Sequence, residues 1–168
     1  MITKAGSRIL SLRVFGSTRY DIPISTIYDI TGSGNEAVYS HNSFDAMANT
    51  YSDNMSGRNG GIIAFVGIGD TAPTADDYFL DDVDVGGVDV NTIVQCTSVR
   101  SSGLITPKGI SYLFTFMNTG ESAVTIKEIC IVYRLNQNEK YMIARKVIPP
   151  RAIQSNETVT FSYEIDWF

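Results

Sequence analysis

The sequence predicts an all-β chain: an antiparallel β-sandwich or jelly-roll-like fold, with one or two short helices and a long irregular N-terminal excursion. Three observations point there. From residue 62 onward, runs rich in β-branched and aromatic residues recur at short spacing, separated by turn signals. No long amphipathic helical pattern stands between those runs, which argues against a parallel α/β arrangement. Charged residues make up 18% of the chain, below the usual ~25%, and Asn, Ser, Thr and Gly take their place, which favours strands and turns over surface helices. At 168 residues the chain is long enough for one packed core, and residues 1–168 are read as a single domain.

The first sixty residues give weak signals. Ile9–Phe15 reads as a strand, and Ile22-Pro23-Ile24 as an edge segment, because proline cannot donate to a ladder. Residues 31–60 are rich in Gly, Ser, Asn and Asp and read as a loop-rich excursion, in which Ser43 is placed to cap a short helix through Ala48. Ile62, Ile63, Phe65, Val66 and Ile68 predict a buried strand, and Gly67 and Gly69 permit a tight exit from it. Pro73 and Thr74-Ala75-Asp76-Asp77 predict a helix start, with Thr74 as N-cap and Asp77 at the capping-box position. Asn91–Arg100 reads as a strand. Ile110, Tyr112, Phe114 and Phe116 alternate with Ser111, Leu113, Thr115 and Met117 in a pattern that suits a strand covered on both faces. After the turn Asn118–Glu121 come a long strand, Val124–Tyr133, and a strand Tyr141–Ile148 that Pro149-Pro150 is expected to end. The turn Ser155-Asn156-Glu157 leads to Thr158–Ile165, where Val159, Phe161, Tyr163 and Ile165 alternate with polar residues on a half-buried strand.

Composition excludes several classes. A net charge of −5 argues against a broad nucleic-acid footprint, and the scattered basic residues, among them Lys140, Arg145, Lys146 and Arg151, read as solvated strand faces. No apolar stretch approaches the ~20 residues of a membrane span. The opening MITKAGSRILSLRVFG lacks the apolar core of a signal peptide, so assembly in a cytoplasm is expected. Cys96 and Cys130 sit in strand-like runs without metal-ligand spacing and read as buried thiols. His41 lies in a turn-like setting with no partner nearby in sequence. No catalytic residue is assigned, and neither a cofactor nor a metal is expected. Gly67-x-Gly69 lacks the remaining glycine and the Lys of phosphate-binding loops, and Asp70 would repel a phosphate. Asp76, Asp77, Asp81, Asp82, Asp84 and Asp89 form an acidic stretch without an EF-hand pattern. It reads as a solvated acidic edge, with a structural cation as the alternative. Trp167 and Phe168 are a terminal aromatic pair that either folds onto its own core or docks into a neighbour.

The segment Gly67–Leu80, GIGDTAPTADDYFL, resembles a G-x-G-x-T-A-P-T-x-x-D-x-x-L element of small β-sandwich structural proteins from tailed-bacteriophage virions. The likeness continues through the aromatic strand ending at Phe114–Asn118, the strand Val124-Thr125-Ile126-Lys127-Glu128-Ile129-Cys130, the strand Ile143–Pro150 and Asn156-Glu157-Thr158-Val159-Thr160-Phe161-Ser162-Tyr163-Glu164-Ile165. It departs at Cys130 and Asn156, where glycine is usual. The resemblance implies a virion structural subunit (a head decoration, neck or portal-ring accessory, or tail component), assembled in the host cytoplasm. Its partners would be copies of itself and other virion proteins, with no specific nucleic acid, no membrane and no enzymatic role. The expected contact residues are Gly67, Gly69, Asp70, Pro73, Asp77, Leu80, Trp167 and Phe168, with loop 31–60 beside them. A carbohydrate- or receptor-binding module, using Tyr20, Tyr28, Tyr39 and Tyr51, is the alternative.

Overall fold

A computed structural model describes residues 1–3, 27–28, 30, 34–35, 61–106, 109–134 and 140–166. The expected strand Ile9–Phe15, edge segment Ile22–Ile24, helix after Ser43, His41 and the terminal pair Trp167-Phe168 lie outside them. Two three-stranded antiparallel sheets face each other. One has the order β3 (Gly61–Gly67), β6 (Val124–Arg134), β7 (Lys140–Ile153). The other runs β4 (Val94–Thr106), β5 (Gly109–Asn118), β8 (Thr158–Asp166). The all-β sandwich expected from the sequence is the architecture found. A small pair, β1 (Ile27–Tyr28) with β2 (Gly34–Asn35), reaches into the segment expected to be irregular.

The core lies between the sheets. Ile62, Ala64 and Val66 of β3 and Ile129, Ile131 and Tyr133 of β6 point inward, against Tyr112, Phe114 and Phe116 of β5 and Tyr163 and Ile165 of β8. Tyr112 and Phe114 stack at 5.8 Å between ring centroids. The β3-β6-β7 sheet is also covered on its outer face, where Ile63, Cys130, Val132 and Met142 meet Leu80 of the loop that follows β3. Strands buried on both faces read as continuous apolar runs, and Ile129-Cys130-Ile131-Val132-Tyr133 is such a run.

The β4-β5-β8 sheet is different. Its outer face is open, with Leu113 39% exposed and Thr160, Ser162 and Glu164 exposed beside it. The expectation that β5 is covered on both faces therefore fails. Leu113 and Met117 suggested a cover, but Ser111 and Thr115 alternating with them, with Thr160 and Ser162 beside them, let this face stand open within the chain.

Two more boundaries differ from expectation. β7 continues through Pro149-Pro150 to Ile153 because the prolines fall where the β6–β7 register slips, between Glu128↔Val147 and Ile126↔Arg151. A bulge asks for no ladder N–H, so proline is tolerated there. The expected strand Asn91–Arg100 begins instead with one helical turn, α1 (Val90–Ile93). Asp89 caps it by accepting a 2.8 Å hydrogen bond from the Asn91 N–H.

Both edges of the β3-β6-β7 sheet are engaged in part. Along β3, the Val66 N–H donates to Asn91 Oδ1 at 2.8 Å. Along β7, Thr3 donates its N–H to the Ile143 carbonyl at 2.9 Å and Arg145 donates its N–H to the Met1 carbonyl at 3.0 Å. The Thr3 hydroxyl adds a bond to the Met142 carbonyl. Edge groups engaged in this way do not template further strand pairing.

Tyr163 tests the packing of the core. Its hydroxyl is buried and has no hydrogen-bond partner among the described residues, and burial raises its pKa. Removing an unpaired buried polar group relieves its desolvation cost. Tyr163→Phe should therefore leave stability unchanged or raise it by up to about 1 kcal/mol, as read by urea denaturation. A loss of stability would reveal a partner for the hydroxyl.

Candidate functional site

Two charged residues sit inside apolar strands. Glu128 interrupts the run of β6 and is 0% exposed, and Arg145 interrupts β7 with its side chain 3% exposed. Arg145 pairs with Cys130, and Glu128 with Val147, so the two lie diagonally on the outer face of the sheet. Arg145 Nε donates to Glu128 Oε2 at 2.6 Å. Its Nη1 donates to Asp77 Oδ2 at 2.6 Å, and its Nη2 to the Thr71 carbonyl at 3.0 Å. The other Glu128 oxygen accepts the N–H groups of Asp81 at 3.0 Å and Asp82 at 3.2 Å.

The loop of residues 68–82 is thus tied to the sheet by backbone and side chain alike. Its ends meet where the Ile68 N–H donates to the Asp82 carbonyl at 2.8 Å, the closed outline of an Ω-loop. Gly67 and Gly69 are required by this approach. A Cβ on Gly67 would stand 2.3 Å from Glu128 Oε1, and one on Gly69 would stand 2.6 Å from the Asp81 side chain. Leu80 and Phe79 fill the space beneath, with Phe79 edge-on to Phe65 at 5.6 Å.

No helix starts at Thr74. The Asp77 carboxylate does reach back as a capping box would, accepting the Thr74 N–H at 3.0 Å and its hydroxyl at 2.5 Å. The chain makes a single turn there, because Asp77 must also face Arg145. Burial opposes ionisation of Asp77, but the hydrogen bonds from Thr74 and Arg145 outweigh it and hold its pKa below the ordinary carboxylate value. Burial likewise opposes the charge on Arg145, and its bonds to Asp77 and Glu128 outweigh that and raise its pKa.

The expected contact residues divide accordingly. Gly67, Gly69 and Leu80 are buried within the chain, and Asp77 is engaged by Arg145 and Thr74. Pro73 is half-buried. Asp70 is exposed and pairs with Lys127 at 3.0 Å. Trp167 and Phe168 lie outside the described residues, as do Tyr20, Tyr39 and Tyr51. Among the described basic residues expected on solvated faces, Arg145 is instead buried. A charge inside a continuous apolar run is the signal that could have marked it and Glu128 as a pair.

The acidic stretch is occupied with local backbone bonds. Asp82 Oδ1 accepts the Asp84 N–H at 2.9 Å, Asp84 Oδ1 the Gly87 N–H at 2.5 Å, and Asp89 caps α1. Asp84 and Asp89 bridge a two-residue hairpin whose turn residues, Gly86 and Gly87, have φ of 62° and 85°. Among the described residues no group of three acidic, cysteine or histidine side chains converges on a point where a metal would sit. Cys96 and Cys130 are free thiols, and burial pushes the Cys96 thiol up to about 11.

No protein-family model, curated protein or solved structure matches the chain. The reading of its function therefore stands on its own residues.

Arg145→Met would leave Glu128 buried without its cation. Breaking a buried pair from one side costs about 3–5 kcal/mol, so the expected result is a loss of that size in urea denaturation. Arg145→Met with Glu128→Gln should recover part of it. An unchanged midpoint for the single variant would show that the loop is held by Leu80 and Phe79 alone.

The depressed pKa of Asp77 makes an acid-side prediction. A carboxylate whose pKa is lower in the folded state contributes stability above its unfolded value of about 3.9, and loses it as pH falls through the folded value. Stability should therefore fall below about pH 4, and Asp77→Asn should flatten that decline. Equal acid slopes for the two proteins would remove Asp77 from the account.

Proposed function

We propose that the chain is a structural subunit of a tailed-phage virion, a head decoration, neck or portal-ring accessory, or tail component. It works through interfaces with copies of itself and with other virion proteins, and carries no catalytic or cofactor role.

One observation carries the reading. Three of the segments that resemble the virion proteins, distant in sequence, meet in a single bonded unit. Gly67–Leu80 supplies Asp70 and Asp77, the Val124–Cys130 strand supplies Lys127 and Glu128, and the Ile143–Pro150 strand supplies Arg145. Chance likeness in three short motifs would not be expected to join them through their own charged side chains. A second departure from the pattern is consistent with it. Asn156 stands where glycine is usual and adopts a φ of 60°, a conformation that asparagine tolerates better than most residues with a Cβ.

The test is composition of the particle. Virions released by the phage that encodes this chain, banded by density and measured by mass spectrometry, should contain it at a fixed ratio to the major capsid protein. A chain present in the lysate but missing from intact particles would refute the reading.

A further inference from the structure

We propose that the outer face of the β4-β5-β8 sheet is where two copies of this chain pack, sheet against sheet, about a two-fold axis running along the strands. The proposal deepens the subunit reading by assigning the self-contact to a face and a symmetry.

Among the residues whose side chains are described, the face carries few charges. Leu113, Thr115 and Met117 run down its middle on β5, and Thr115 and Thr160 touch through their hydroxyls at 3.2 Å. The two threonines, branched at Cβ, have little rotamer freedom to lose on contact. A solvated sheet face ordinarily carries alternating charges. Here the described outward positions carry two, Arg100 on β4 and Glu164 on β8, both exposed and neither with an ion-pair partner among the described residues.

Their placement matches the symmetry. β4 and β8 are the two edges of the sheet with β5 between them. A two-fold along the strands lays β4 of one copy over β8 of the other. Arg100 is level with Leu113, and Leu113 with Ser162, while Glu164 lies two residues further along β8. That offset is about 7 Å along the strand, within the reach of an arginine side chain. The same pairing then occurs twice, Arg100 to Glu164 and Glu164 to Arg100, as an isologous contact demands.

Size sets the expected strength. Three strands about 4.8 Å apart and nine residues long present a face of about 14 by 30 Å. That is below the ~800 Å² per partner of a standard interface. The dimer should therefore be concentration-dependent in free solution, with higher-order assembly adding to it in place.

Sedimentation velocity over a range of concentrations, on the full chain and four variants, tests the proposal. The wild type should show a monomer–dimer equilibrium. Arg100→Glu and Glu164→Arg should each weaken it at least about tenfold, because each sets like charges opposite one another twice. The double variant Arg100→Glu/Glu164→Arg restores opposite charges and should return to within about threefold of the wild type. Leu113→Asp, at the centre, should abolish the dimer. Circular dichroism should show every variant folded, since these side chains are exposed.

A wild type that stays monomeric throughout, whether or not it binds a glycan or another virion protein, overturns the proposal. So does a dimer indifferent to all four variants. Either result leaves incorporation into particles, measured separately, free to succeed or fail on its own.

Discussion

Glu128 is the constraint on which the rest of this structure turns. A carboxylate placed at the centre of a buried strand costs several kcal/mol to desolvate unless its oxygens are engaged. Here one oxygen takes the Arg145 Nε–H and the other takes two backbone N–H groups from Asp81 and Asp82. The second requirement dictates the course of the chain after β3. Residues 81 and 82 must return to the sheet just outside β6, so the segment leaving β3 must close on itself. Gly67 and Gly69 are the consequence, since any side chain there would occupy the space of Glu128 or Asp81. Leu80 is then delivered to the outer apolar cluster with Cys130, Val132 and Met142.

The two sheets follow opposite solutions to the same problem. One face of each is buried against the other sheet. The β3-β6-β7 sheet carries apolar residues outward as well and needs the 68–82 loop as its cover. The β4-β5-β8 sheet carries Thr, Ser and Gln outward and stays open. Edge protection is also divided. The Asn91 side chain takes one N–H of the β3 edge, and residues 1–3 supply backbone to β7. Backbone groups at these two edges are thus partly spent within the chain.

Much of the fold was legible in the residues because the strands obey simple periods. Alternation in Thr158–Ile165 announced a half-exposed strand, and the apolar run Val124–Tyr133 announced a long one. Errors arose where a local signal was overruled by something distant. The Thr74–Asp77 pattern carries half of a capping box, yet Arg145, remote in sequence, claims the same carboxylate and no helix forms. Pro149-Pro150 looked like a strand end because the register slip that accommodates them belongs to the pairing with β6. Asn91 looked like the first residue of a strand because its cap, Asp89, was read as part of an acidic edge. The buried pair went unread, with Arg145 assigned to a solvated face, although charges inside Ile126–Tyr133 and Tyr141–Ile148 were the signal for it. What the sequence could not supply was that those charges are diagonal neighbours, since that depends on the register of β6 against β7.

A hydrophobic residue alone would not hold the loop in one position. Burial of Leu80 is favourable in any orientation that removes it from water, because the hydrophobic effect has no direction. A guanidinium is directional: its donors form a rigid planar fork, and here they meet three different acceptors, on Glu128, Asp77 and Thr71. A shift of the loop by one residue would break the bonds to Asp77 and Thr71 and leave charge buried and unpaired. The ion pair therefore contributes little net stability compared with an apolar replacement, while penalising every alternative placement of residues 70–82. Under the proposed role, in which many identical copies present the same surface, that penalty matters more than a deeper energy minimum.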